Sequence, residues 1–218
     1  MLANWLRSAS SAAVSATVEF VTSLTNTANQ SSYTFTSASL GAEGGNRRVL
    51  VTVSAGANTG PFNATNVSVA GVSASLLVSR NATTETVYSA IWLAVVPTGT
   101  TGNIVVTFNG TVSRMGIAVY AARNLTSDTP QATNTALQAT NISVTGTSAG
   151  FVVGQATNNT TSAATYTWAG ATEDWDTRIE SALISSSASG NKTAAGPVTL
   201  SAMPSAVTTI TAVSVFMG

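Results

Sequence analysis

Neither cysteine nor histidine occurs in the 218 residues of this chain. The first absence excludes disulfides, thiol nucleophiles and thiolate metal sites, and the second removes the commonest general base and the commonest zinc ligand. Charge is scarce as well, since Asp, Glu, Lys and Arg make up 7% of the residues and balance 8 against 8. No basic surface is left to neutralise a phosphate backbone, so nucleic acid is not an expected partner. No run approaches the roughly 18 apolar residues of a membrane span. In the opening "MLANWLRSASSAAVSA" the only cation, Arg7, follows the apolar residues, and "SASSAAVSA" is too polar for the core of a signal peptide. The expectation is a soluble chain with no export signal of its own and no membrane partner.

Ser, Thr, Ala, Asn and Gly fill the space that charge leaves. They give a hydrogen-bonding surface with little repulsion between neighbouring copies, which suits dense packing into an array. The length allows one good core, and all-β sandwiches often reach this size as one unit.

Strand patterns run through most of the chain. In "RRVLVTVS" Val49, Val51 and Val53 share one face and Arg48, Leu50, Thr52 and Ser54 the other, the pattern of a half-buried strand. "NVSVAGVSASLLVS" alternates through Val67 and Val69, breaks at Ala70-Gly71 and resumes at Val72, which predicts a tight turn or bulge between short strands. "AIWLAVV", with Trp92 on one face and Ile91, Leu93 and Val95 on the other, is apolar enough on both faces to be covered twice, as is the terminal "VTTITAVSVFMG". Ile104, Val106 and Phe108 line up before Asn109-Gly110, and Met115, Ile117 and Val119 line up after it, which predicts a hairpin. Helix signals are scarce, because Thr and Val dominate and no long stretch keeps a 3.6-residue period with a cap. More than about ten short strands point to an all-β fold, an antiparallel two-sheet β-sandwich or jelly roll over residues 16–218, with a short N-terminal arm over residues 1–15.

The stretches "NRRVLVTVSAG", "NVSVAGVSASLLVSR", "AIWLAVVPTGTTGNIVVTF", "MGIAVYAARNL", "GFVVGQATN" and "AVSVFMG" resemble a β-sandwich domain that recurs in bacteriophage virion structural proteins and in bacterial surface proteins. The resemblance covers about residues 45–218. It implies a structural or surface-display role, and it carries over no catalytic residue.

Some residues could carry chemistry. "TEDWDTRIE" gathers Glu173, Asp174, Asp176 and Glu180 around Trp175, as a calcium loop or a glycosidase carboxylate pair would. It lacks the Gly-punctuated spacing of a calcium loop, and Asp176 could simply pair with Arg178. A solvated loop is the preferred reading, and calcium binding by Glu173, Asp174 and Asp176 stays open. Lys192 in "SASGNKTAAG", a flexible-looking loop, is the only lysine that could serve a serine nucleophile. Sequons such as "NAT" and "NGT" are what a chain rich in Asn, Ser and Thr produces by composition. Tyr33, Phe35, Trp168 and Trp175 could line a sugar-binding face. The two-residue spacing of Tyr33 with Phe35, and of Tyr166 with Trp168, places them instead on core-facing strand positions. No residue is assigned a catalytic, cofactor-binding or metal-binding role.

Leu2, Trp5 and Leu6 stand at helical i, i+3, i+4 spacing ahead of a low-complexity linker. Such a tethered apolar cluster is a liability in a free monomer, and we read it as an interface with another subunit. Its alternatives are a frayed terminus and a short helix folded back on the sheet. The expected function is a non-enzymatic structural protein of a phage virion, most simply a capsid decoration (cement) protein. Its partners would be other virion proteins, above all the major capsid protein, and further copies of itself on a symmetric lattice. The alternative is a carbohydrate-binding module of a tail fibre or adhesin.

Overall fold

Two patterns of burial recur along the chain, and together they decide the architecture. The computed structural model describes residues 14–82, 86–137, 141–160, 165–180, 182–205 and 209–218, and among these it forms seventeen strands and no helix. The first nine strands are β1 (Thr17–Asn26), β2 (Gln30–Ser39), β3 (Arg48–Gly56), β4 (Ala64–Val69), β5 (Val72–Ser73), β6 (Ser75–Asn81), β7 (Val87–Val95), β8 (Thr101–Val112) and β9 (Arg114–Arg123). The remainder are β10 (Ala132–Leu137), β11 (Asn141–Gly146), β12 (Gly150–Asn159), β13 (Tyr166–Ala169), β14 (Thr172–Ile179), β15 (Leu183–Lys192), β16 (Gly196–Pro204) and β17 (Thr209–Met217). Strands such as β2 and β11 alternate between buried and exposed, as a sheet with one wet face requires, whereas β3, β7, β9 and β12 are buried along nearly their whole length.

The fully buried strands lie inside two inner sheets, in the orders β1-β9-β3-β7-β6 and β10-β17-β12-β15-β14, whose edge strands are partly exposed. The alternating strands form two outer sheets, β2-β8-β4-β5 and β11-β16-β13. All pairings are antiparallel. One core fills the space between the first inner and first outer sheets, with Val49, Val51, Trp92, Ile117 and Val119 facing Tyr33, Phe35, Val67, Ile104 and Val106. A second core joins the other pair, with Val152, Ala156, Ile184 and Phe216 against Ile142, Val144, Trp168 and Leu200. A third lies between the two inner sheets, where Leu50, Ile91, Leu93 and Tyr120 meet Phe151, Val153, Val213 and Val215. The expected antiparallel sandwich is thus present and doubled, a stack of four sheets where two were expected.

The doubling is an internal repeat. Strand for strand, β1, β9, β3, β7, β6 correspond to β10, β17, β12, β15, β14, and β2, β8, β4 to β11, β16, β13, so the second half repeats the first without β5. Gly56 faces Val87 and Arg114, and Asn159 faces Leu183 and Thr209 in the same way. Even the irregularity is kept: β6 shifts register against β7 between Leu76 and Val78, and β14 shifts against β15 between Glu173 and Trp175, at the matching point.

Several local expectations hold. Trp92, Tyr33, Phe35, Tyr166 and Trp168 are all buried. Ala70 and Gly71 form the tight turn between β4 and β5, both with positive φ (50° and 81°), as a two-residue hairpin of this hand demands. β17 is central in its sheet, as expected.

Others are corrected. Asn109-Gly110 makes no hairpin, because β8 continues past it, bulging against β2 between Thr107 and Val112, and the chain crosses to the inner sheet at Ser113, so β8 and β9 lie in different layers. The Asn109 carboxamide oxygen instead accepts a hydrogen bond from the Asn63 backbone N–H. The second face of β3 is covered by the other repeat, so the strand is buried on both sides. Likewise "TEDWDTRI" is the edge strand β14, and Ser187–Lys192 belong to β15 where a loop was expected around the lysine.

Candidate functional site

The carboxylates of β14 are the first candidates for chemistry, and the strand carries them apart. The bulge at Asp174 turns its side chain toward the first repeat, where it accepts a hydrogen bond from the Tyr120 hydroxyl at 3.1 Å. Asp176 points to the opposite layer and accepts one from the Tyr166 backbone N–H at 2.7 Å. Glu173 is exposed, and Glu180 sits beyond the strand, 3.7 Å from Arg114. Two carboxylates on opposite faces of a sheet cannot flank one glycosidic bond. Among the described residues no group of three or more His, Cys, Asp or Glu side chains is placed to hold a metal ion. Burial pushes the carboxyls of Glu173, Asp174 and Asp176 above their ordinary range; at Glu173 the charges of Asp176 and Asp174 add to that effect. Lys192 donates from Nζ to the Gly170 carbonyl at 2.9 Å, so its ammonium is tied to backbone beside an open recess of about 400 Å³ lined by residues 192–199 and Gly170.

Trp175 is half-buried and reaches across the inter-repeat seam to Gly116, where an added Cβ would come within 2.5 Å of its ring. Tyr33, Phe35 and Trp168 are core residues. Leu2, Trp5 and Leu6 lie outside the described residues. The chain enters the fold at Val14, which is 74% exposed beside a recess of about 200 Å³ shared with Asn124, Thr126, Ser148 and Gly218.

What the geometry does assemble is a pair of unusual outer faces. The seven strands of the two outer sheets contain no Asp, Glu, Lys or Arg at all. The exposed positions of the first include Ser32, Thr34, Thr36, Thr65, Asn66 and Asn103, with Val72 the one large apolar side chain among them. Those of the second include Asn141, Ser143, Thr145, Thr167 and Thr199. Hydroxyls bond across strands on both faces, Ser32 with Thr107 at 3.4 Å and Ser143 with Thr199 at 3.1 Å. Among the described residues the charges sit on the inner sheets and the connecting loops, so the repeat presents the same kind of uncharged, hydroxyl- and amide-bearing surface at both ends of the stack. Sequence reading had the composition of this surface and lacked its placement, because the period-two pattern says which residues face out but not which strands share a sheet. Comparison with known protein families, with curated proteins and with solved structures gives no match.

Proposed function

We propose that this chain is a non-enzymatic structural protein of a bacteriophage virion, a capsid decoration protein that lies against the shell through its uncharged faces. The observation that supports this reading is the pair of charge-free outer sheets on opposite ends of one stack. Such faces carry many neutral donors and acceptors, incur no cost for burying unpaired charge, and do not repel a neighbour bearing the same face. Each contact is weak, and repetition on a symmetric lattice turns weak contacts into stable attachment. In this scheme the apolar residues Leu2, Trp5 and Leu6 of the N-terminal arm add an anchor to the major capsid protein.

Quantification of the protein on purified particles tests the proposal. Copies on the order of hundreds per particle are expected for a shell component. Absence from purified particles would overturn the virion reading. A handful of copies, together with a hit on a glycan array, would move the assignment to a tail fibre or adhesin.

A further inference from the structure

The two repeats differ at one corner, and there one of them is filled and the other open. Arg48 faces Val95 as Phe151 faces Asn191, so one position further out Arg47 corresponds to Gly150 and Val96 to Lys192. In the first repeat Arg47 fills the corner and donates to the carbonyls of Val96, Thr98 and Gly99, and Val96 is buried. Ala70, in the turn before β5, lies over Gly102, where an added Cβ would come within 2.7 Å of the Ala70 Cβ. In the second repeat the arginine is replaced by a glycine, the valine by a lysine, and only Gly170 and Ala171 stand between β13 and β14, with no β5. That corner is the recess of about 400 Å³ lined by Gly170 and residues 192–199.

The lining has two chemical demands. Lys192 spends one of its three N–H donors on the Gly170 carbonyl, which pins the ammonium in the wall of the recess. No carboxylate lines the recess, and among the described residues Lys192 has no ion-pair partner. Ala194 and Ala195 correspond to Thr98 and Gly99, whose carbonyls Arg47 binds, and among the described residues no group donates to the carbonyls of Ala194 and Ala195. A pinned cation calls for an anion, and free carbonyls call for donors.

We propose that this recess binds an acidic sugar unit, with its carboxylate on the Lys192 ammonium and its hydroxyls donating to the loop carbonyls. One ligand then meets both demands. A guanidinium would imitate Arg47 and be repelled by Lys192, a neutral sugar would leave the ammonium without a counter-ion, and a bare carboxylate would leave the carbonyls without donors. The volume lies within the roughly 300–1,000 Å³ of small-molecule sites, and the tethered lysine has little freedom left to lose on binding. The site stands apart from attachment to a shell, so failure of either proposal leaves the other in place.

Titration of the full chain with glucuronate and N-acetylneuraminate, followed by calorimetry, tests the site, with glucose, acetate and guanidinium as comparisons. At least one acidic sugar is expected to bind saturably, at least about tenfold more tightly than any of the three comparisons. Lys192→Gln, which can keep a bond to the Gly170 carbonyl, should weaken that binding by at least about tenfold, and Lys192→Arg should retain it. Ala195→Trp, on the exposed loop, should fill the recess and abolish binding with little change in the thermal melt, and it serves as the test should Lys192→Gln fail to fold. No saturable binding of either acidic sugar, equal binding of glucose, acetate or guanidinium, or an affinity indifferent to both Lys192→Gln and Ala195→Trp would overturn the assignment.

Discussion

Ser54 and Ser185, 131 residues apart in sequence, share a 2.5 Å hydrogen bond between their hydroxyls across the seam of the two repeats. The repeat alignment that sets Gly56 on Asn159 sets Ser54 on Thr157 and Ser89 on Ser185, and Ser89 bonds Thr157 at 2.7 Å. The two bonds are therefore mates across a pseudo-two-fold axis, the relation of an isologous dimer within one chain. Thr211 adds a hydroxyl 2.8 Å from Ser89, and Gln155 donates to Ser185 at 3.2 Å. A buried hydroxyl without a partner costs about 1–3 kcal/mol, more than the bond itself contributes. Ser54→Ala or Ser185→Ala alone should each cost about 1–2 kcal/mol, and the double variant should cost less than the sum. Denaturant melts of the four proteins in this cycle measure the coupling, and strict additivity would show that the seam hydroxyls act separately.

Arg47 binds two loops with one side chain. Fully buried, its guanidinium donates to the carbonyls of Val96, Leu40, Gly41, Thr98 and Gly99 at 2.7–3.3 Å, so that all its N–H groups are used. A lysine offers three donors from a single point and cannot reproduce the planar fork. Arg47→Lys should lower stability by about 2 kcal/mol, and Arg47→Met should lower it further by leaving the carbonyls without a donor. Equal stability of all three proteins in a thermal melt would mean that water replaces the guanidinium.

Trp92 tests the sequence reading directly. It was placed on a doubly covered strand from the apolar run "AIWLAVV", and it is 5% exposed in the core between the first inner and outer sheets. Trp92→Ala should cost about 3–5 kcal/mol through lost burial and a residual cavity, and a loss under about 1 kcal/mol in a denaturant melt would contradict that packing.

That agreement marks what the residues reveal by themselves. Period-two alternation placed Tyr33, Phe35, Ile104 and Val106 on core-facing positions, and Ala70-Gly71 announced a turn by breaking the alternation. Asn109-Gly110 carried the same local signal and was overridden, since β8 is long enough to keep pairing on both sides of it. Ser185, Ser186 and Ser187 look like surface residues in isolation. Their burial depends on hydroxyls and an indole N–H supplied from distant strands, Ser54 to Ser185, Tyr120 to Ser187 and Trp168 to Ser186. The repeat was invisible for a related reason, because Val49, Val51 and Val53 answer to Val152, Gly154 and Ala156, and only the hydrogen-bond register aligns them.

The N-terminal arm separates folding from attachment. β1 is fixed from Val18 onward by the Asn191 carboxamide, which accepts from its N–H at 2.8 Å and donates to its carbonyl at 3.2 Å. Deleting residues 1–10 should therefore leave the melting temperature close to that of the full chain. It should also weaken co-sedimentation with stripped particles, because Leu2, Trp5 and Leu6 together could bury about 300 Å² of apolar surface. Equal binding with and without the arm would remove it from the interface.

The pH profile should be tilted toward acid, against the usual pattern for carboxylates. Glu173, Asp174 and Asp176 have carboxyls raised by burial, so the folded chain holds these protons more tightly than the unfolded one. Their favourable contribution is full below the ordinary carboxylate range and is lost as pH rises through the raised values. The melting temperature should therefore increase between about pH 7 and about pH 4.5, and Asp174→Asn with Asp176→Asn should flatten that rise, since an amide oxygen can keep the bonds from Tyr120 and Tyr166. At the alkaline end Tyr33 and Tyr88 are pushed up to about 12 from 10.0, with burial the largest cause in each. Stability they contribute below 10.0 is lost as pH climbs toward about 12, and unfolding there should coincide with the rise of tyrosinate absorbance. A melting temperature that falls from about pH 7 to about pH 4.5, and is unchanged by the two asparagines, would show that these carboxylates are as well solvated in the folded chain as in the unfolded one.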